Sequence, residues 1–172
     1  MTTTEPTATA DHASALHDVP PAVVRKALAR RHYAVLATVS PAGRPHAAGV
    51  LYGLAEGSLY VSTDVASRKG RNLAAGTHVG VTVPVRRAPV GPPSAIQFQA
   101  TAELLPLDDP HLRELVARGE LKSVTGHGEL EREGGCFVRI TPAATVHTYG
   151  LGMSLWRLIR EPLDAAGRST WE

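Results

Sequence analysis

The chain predicts a mainly β fold, an antiparallel barrel with a few short helices, on three observations. Runs such as YAVLATVS, SLYVSTD and THVGVTVPV are short and rich in β-branched and aromatic residues, as strands with one buried face are. Several of these runs are joined by only a few residues of Gly, Pro and Ser type, too few for the crossovers that parallel strands need. Six or seven such runs in 172 residues, with no internal repeat, make one domain whose sheet must curl to bury its inner face.

Residues 1–17, rich in Thr and Ala and lacking apolar periodicity, read as a disordered tail. Asp18 and Pro20 mark a helix start, because Asp accepts from free amides and Pro fits a first turn. Val23, Val24, Ala27 and Leu28 then share one face, while Arg25, Lys26 and Arg30 fall elsewhere. Tyr33–Ser40 is the first strand, and Pro41 and Gly43 suit the tight turn after it. Arg44–Leu54 is the second strand, and its small residues point to a close approach to its backbone. The turn AEGS leads to a third strand, Ser58–Asp64, and three strands on short turns pair antiparallel. A helix carrying Leu73 and a strand at Thr77–Val85 follow, then a loop fixed by Pro89, Pro92 and Pro93. Ser94–Leu107 returns to strand, and DDPHLRELVARG is a helix with an Asp cap, an early Pro and a closing Gly119. Glu120–Gly135 is a polar excursion, and Gly135–Gly150 supplies one or two last strands. The barrel domain thus spans 18–150, ahead of a helical tail at 151–172.

Apolar residues make up 43% and charged residues 20%, so the chain can bury a core and stay soluble. A formal net charge of +2 argues against a general nucleic-acid or membrane surface, which makes any cation cluster a local device. With Cys136 as its one cysteine, the chain forms no internal disulfide. The start, MTTTEPTATADHASAL, has neither the basic opening nor the apolar core of a secretory signal. No run approaches a membrane span, since Arg157 interrupts Leu155–Ile159, and the expected location is cytoplasmic.

The local cluster lies in SLYVSTDVASRKGRNLAAG, where Arg68, Lys69 and Arg71 arrive as the third strand gives way to a helix. A helix N-terminus offers unpaired amides and a partial positive charge, so it holds anions. If the helix begins near Ser67, its hydroxyl, those amides, Arg68 and Lys69 can converge on one phosphate. Asp64, unfavourable beside a phosphate, would then cap the helix and point away. The same three cations also fit a solvated basic helix face, and the spacing alone does not separate the two readings.

The order of VLATVSPAGRPHAAGVLY, SLYVSTDVASRKGRNL, THVGVTV, IQFQATAEL and FVRITP behind a short helix resembles the pyridoxamine 5′-phosphate oxidase-like family, the flavin-binding split β-barrels. The resemblance covers residues 21–150. It implies a split barrel of six to seven antiparallel strands, working as a homodimer with two cofactor sites at the subunit interface. The implied cofactor is FMN or, in one branch, the deazaflavin coenzyme F420, serving an oxidoreductase of small organic substrates. Ser62, Thr63, Ser67, Arg68, Lys69 and Asn72 match the stretch that lines the cofactor phosphate in this family, Lys69 foremost. Arg44, Pro45 and His46 match the start of the strand near the isoalloxazine ring, which would lie against Ala47–Gly49. Gln97 and Gln99 fall where the vitamin-converting enzymes carry a basic phosphate-contacting motif; this chain reads AIQFQA there. The C-terminal GLGMSLWRLIREPLDAAGR also lacks their arginine pair, so the resemblance is to the broader reductase branches. F420 has a longer anionic tail, which Arg71, Arg86 and Arg87 would serve. A carrier or sensor of flavin or haem on the same barrel is the remaining alternative. A flavin carries the hard chemistry itself, so no acid–base pair is required, and no catalytic residue is assigned.

None of the eight histidines shows paired-ligand spacing such as HxxxH or HEXXH, and no metal site is assigned. His32, His78, His111 and His127 read as surface or capping residues; His46 either lines the site or serves the fold. GHGEL at 126–130 is a surface excursion or a pocket cover. Cys136 shares a face with Val138 and Ile140 and reads as a small core residue. Leu155, Trp156 and Ile159 give the tail an apolar face to set on its own barrel, across a dimer, or over the ring.

Overall fold

Along Tyr33–Val39 the two-residue rhythm turns Ala34, Leu36 and Thr38 inward and leaves Tyr33, Ala37 and Val39 exposed. The same rhythm recurs at His78–Val85 and along Ser94–Leu105. The computed structural model describes residues 16–86 and 91–171 and joins these runs into one curled sheet. Its strands are β1 (His17–Asp18), β2 (Tyr33–Val39), β3 (Pro45–Leu51), β4 (Gly53–Ala55), β5 (Ser58–Asp64), β6 (His78–Val85), β7 (Ser94–Leu105), β8 (Gly135–Pro142), β9 (Thr145–Tyr149) and β10 (Ala166–Thr170). Four helices accompany them: α1 (Pro21–Ala29), α2 (Arg68–Ala75), α3 (Pro110–Ala117) and α4 (Leu155–Arg160). The protein is therefore mainly β, with the half-barrel curl of a split barrel.

One path through the sheet runs β4-β5-β8-β7-β6-β2-β3. The split falls within β7, whose first part, Ala95–Gln97, pairs with β9 and whose later part, Ala100–Leu105, pairs with β8. Between the two, the Ala143 amide donates to the Gln99 carbonyl at 2.8 Å and fixes the turn that separates β8 from β9. Leu36, Val81, Ile96, Val138 and Ile140 fill the interior, and α1 closes one end with Val24 and Leu28. A second cluster, around Phe137, Tyr60 and Leu105, is covered by Leu112 and Leu115 of α3 and by Leu121 and Val124.

Several expectations change. The second strand breaks at Tyr52, whose buried hydroxyl donates to the Leu28 carbonyl at 2.8 Å, so Arg44–Leu54 becomes β3 and β4. The third strand pairs antiparallel as expected, but with the short second piece, β4, and with β8 rather than with β3. The helical tail at 151–172 holds α4 but ends in a strand, β10, which pairs with β9 on one side and, in parallel, with β1 on the other. Those additions and the break raise the count from six or seven strands to ten. Asp18 does not cap α1, which starts behind Pro20 without a side-chain cap; it pairs with Arg168 at 3.0 Å. Asp109 does cap α3, accepting from the Leu112 amide at 2.8 Å, and Gly119 closes it at φ 74°. Of the expected disordered tail, residues 1–15 lie outside the described residues. Among the described residues, no helix is long and apolar enough to cross a membrane.

Candidate cofactor site

Helix α2 is set by its first residues. The Ser67 hydroxyl accepts from the Gly70 amide at 3.0 Å as the N-cap and lies 3.3 Å from the Thr63 hydroxyl. Asp64 caps the preceding turn instead, accepting from the Ala66 amide at 2.7 Å, with Arg132 3.5 Å away on its other oxygen. Gly70 lets the helix sit close on that turn: a Cβ there would lie 2.3 Å from the Asp64 carbonyl oxygen and 2.7 Å from that of Val65. These are backbone atoms and cannot step aside. G70A is therefore expected to lose about 1–2 kcal/mol of stability in urea denaturation, the overpacking outweighing the helix propensity Ala brings.

Across from α2 stands the β2–β3 hairpin. Its tip is closed by Ser40, whose hydroxyl accepts from the Arg44 amide at 3.1 Å, and by Gly43 at φ 72°. Between hairpin and helix lies an open cleft of about 490 Å³. Ser40, Pro41, Ala42, Arg44, Pro45 and His46 form one wall, and Arg68, Arg71 and Asn72 form the other. Among the described residues, no carboxylate lines it. Arg71 is braced by a hydrogen bond from its guanidinium to the Ala66 carbonyl. His46 has a buried Nδ1 without a hydrogen-bond partner. Asn72 is buried, and its amide donates to the Thr38 hydroxyl at 2.9 Å.

The structure thus brings Arg44, Pro45, His46, Arg68 and Asn72 to one cleft and adds Arg71, Ser40, Pro41 and Ala42. Ser62, Thr63, Ser67, Lys69, Gln97 and Gln99 do not line it. Ser67 and Thr63 secure the start of α2. Lys69, next to Arg68 but a helical step round from it, acts on Cys136. Burial and the Asp64 charge push that thiol up, and the Lys69 ammonium partly offsets them, so Cys136 is a buried neutral core residue. Arg86 follows the end of β6 and touches Arg31 through its carbonyl, at the start of β2 and a strand's length from Ser40, so within one chain it does not join Arg71. Arg87 lies outside the described residues. The signal for Arg71 was present in the sequence, since residues three apart on a helix, as 68 and 71 are, share a face.

Gln97 and Gln99 instead stand on the outer face of the sheet, where β7 pairs with β6 at Thr82 and Gly80. That face is paved with small residues, Ala37, Ala47, Gly49 and Gly80, and bordered by Tyr33, Val39 and Leu51, each at least half exposed. The Tyr33 ring lies across Gly49, where a Cβ would meet its hydroxyl at 2.6 Å.

Several known proteins share this architecture. HutZ, the haem storage protein from Vibrio cholerae, is 18% identical, with a TM-score of 0.64 over 75% of this chain and 94% of its own. A haem-binding protein from Mycobacterium smegmatis is 19% identical with a TM-score of 0.65; the match covers 86% of this chain and 56% of that one. A pyridoxamine 5′-phosphate oxidase-related, FMN-binding protein from Nostoc punctiforme is 20% identical, with a TM-score of 0.54 over 74% of this chain and 82% of its own. At such identities these likenesses establish the fold. No curated protein matches the chain. The family model described as pyridoxamine 5′-phosphate oxidase matches residues 21–145, most of the barrel, and the chain therefore belongs to the pyridoxamine 5′-phosphate oxidase family.

Proposed function

We propose that the protein is an FMN-dependent oxidoreductase of small organic molecules, acting as a homodimer. The observation that carries this reading is a cleft lined by three arginines, Arg44, Arg68 and Arg71, and, among the described residues, by no carboxylate. That donor set fits a dianionic phosphate monoester: Arg44 and Arg68 can each offer two parallel donors, Arg71 adds those its bond to Ala66 leaves, and among the described residues no acidic side chain lines the cleft. The small-residue surface at Ala47 adjoins Pro45 and His46 and gives a flat ring a strand to lie against, with the Tyr33 ring over Gly49 as its far border. When bound, FMN supplies hydride or electron transfer, and the chain supplies grip, orientation and exclusion of water. The half-exposed Tyr33, Val39 and Leu51 make an apolar sheet face of the kind that a second copy covers. Gln97 and Gln99 would then lie inside that interface, beside the ring rather than on the phosphate.

FMN added to the purified protein is expected to bind with quenched fluorescence, to a species of twice the chain mass, and to be reduced by nicotinamide cofactors or reduced F420. Failure of FMN to bind at any concentration up to its solubility overturns the assignment. The F420 reading loses the support of Arg86 within one chain but keeps Arg71, and tight binding of F420 in place of FMN would select it. The haem-carrier reading rests on His46, a histidine in the wall of the cleft; a haem absorbance band without turnover would select it.

A further inference from the structure

We propose that Thr38 is a positioning residue that sets the gap between the two arginine-bearing walls of the cleft. This rests on the FMN reading of that cleft. Thr38 lies inside the barrel on β2, only 2% exposed, at a phase of the strand where Ala34 and Leu36 are also buried. A hydroxyl at such a position needs partners. It accepts from the Asn72 side-chain amide at 2.9 Å and donates to the His46 carbonyl at 3.4 Å. Asn72 belongs to the wall that presents Arg68 and Arg71, and His46 to the wall that presents Arg44. One buried oxygen therefore ties both walls together. Among the described residues, Asn72 to Thr38 is the only side-chain hydrogen bond between α2 and the β2–β3 hairpin. This also gives Asn72 a task beside the one its motif suggests: one of its two amide hydrogens goes to the scaffold.

Guanidinium groups that must share one phosphate depend on this separation, because the bidentate geometry tolerates little displacement. The ring-binding surface at Ala47 does not involve α2. Loss of the tie should therefore weaken recognition of the phosphate selectively, leaving the affinity for the ring alone unchanged.

The test compares FMN with riboflavin, which lacks the phosphate, by fluorescence quenching on the full chain. T38V keeps the side-chain shape and removes the hydroxyl; it is expected to lose FMN affinity by about tenfold or more, the scale seen when outer-shell hydrogen-bond partners are removed. Riboflavin affinity should stay within about twofold by the same argument, and T38S should restore FMN binding. Y52F, which removes the hydrogen bond to Leu28 at the α1 end of the barrel, controls for general loosening and should leave FMN affinity unchanged. If T38V does not fold, T38A replaces it in the same comparison. Unchanged FMN affinity in T38V, equal losses for FMN and riboflavin, or the same loss in Y52F each overturn the proposal. R68A separates the two layers: if it abolishes FMN binding while T38V does not weaken it, only the positioning role fails. A wild-type protein that does not bind FMN overturns both.

Discussion

R68A/R71A is expected to lose at least two orders of magnitude in FMN affinity while keeping its fold. Both side chains line the cleft, neither is needed for the core, and α2 is held by Ser67, Gly70, Asn72 and Leu73. A hydrogen bond to a charged group contributes about 1.5–3 kcal/mol, so two arginines on one phosphate contribute about 3–6 kcal/mol. That is a factor of about 100 or more in the dissociation constant. Exposure of both guanidiniums favours the lower end of that range. K69A, whose side chain stands outside the cleft, is expected to lose less. Isothermal titration with FMN measures both, and high salt should narrow the difference, since exposed charges are screened. Wild-type affinity in the double variant would show that the phosphate sits elsewhere.

F137A is expected to lower global stability by about 3–5 kcal/mol, a large share of the 5–15 kcal/mol that holds an ordinary domain. Phe137 is fully buried on β8, between β5 and β7, where Ser62 and Leu105 are its register partners. Its ring is at the centre of the second cluster, with Tyr60, Leu112, Leu115, Leu121 and Val124 around it. Removing it opens a cavity that α3 and the segment after it cannot refill, because their own side chains already point there. Urea denaturation should show a lower midpoint at an unchanged slope. The cleft is built from β2, β3 and α2, so FMN affinity of the folded fraction should be preserved.

The barrel was legible wherever side chains alternate strongly. β2, β6 and β7 follow the two-residue rhythm, β8 is a short apolar run buried at Cys136, Phe137 and Val138, and α3 announces itself through Asp109, Pro110 and Gly119. β10 was not legible, because its inward positions are Gly167 and Ser169, too small and polar to register as a buried face. The break at Tyr52 was hidden for a different reason: it depends on a hydrogen bond to α1, remote in sequence. In the site, Arg68 was reached from the cation cluster at a helix start, and Arg44, Pro45, His46 and Asn72 through the family resemblance, with no help from alternation. The convergence of Arg68 and Lys69 on one phosphate conflicts with helical geometry, in which neighbours diverge and residues three apart converge. Thr38 left a trace that is easily passed over, a polar residue at a buried phase of an otherwise apolar strand face.

The parallel pairing of β1 with β10 joins His17 to Gly167 and Asp18 to Arg168, positions 150 residues apart. During synthesis on the ribosome the first of these strands emerges well before its mate. Closing so long a loop is entropically costly and slow, so this seam is completed after the rest of the barrel. A chain released prematurely, short of Ala166, would leave the β9 backbone bare along one side, where another nascent chain could add a strand. β10 thus covers the β9 edge against strand addition as well as extending the sheet.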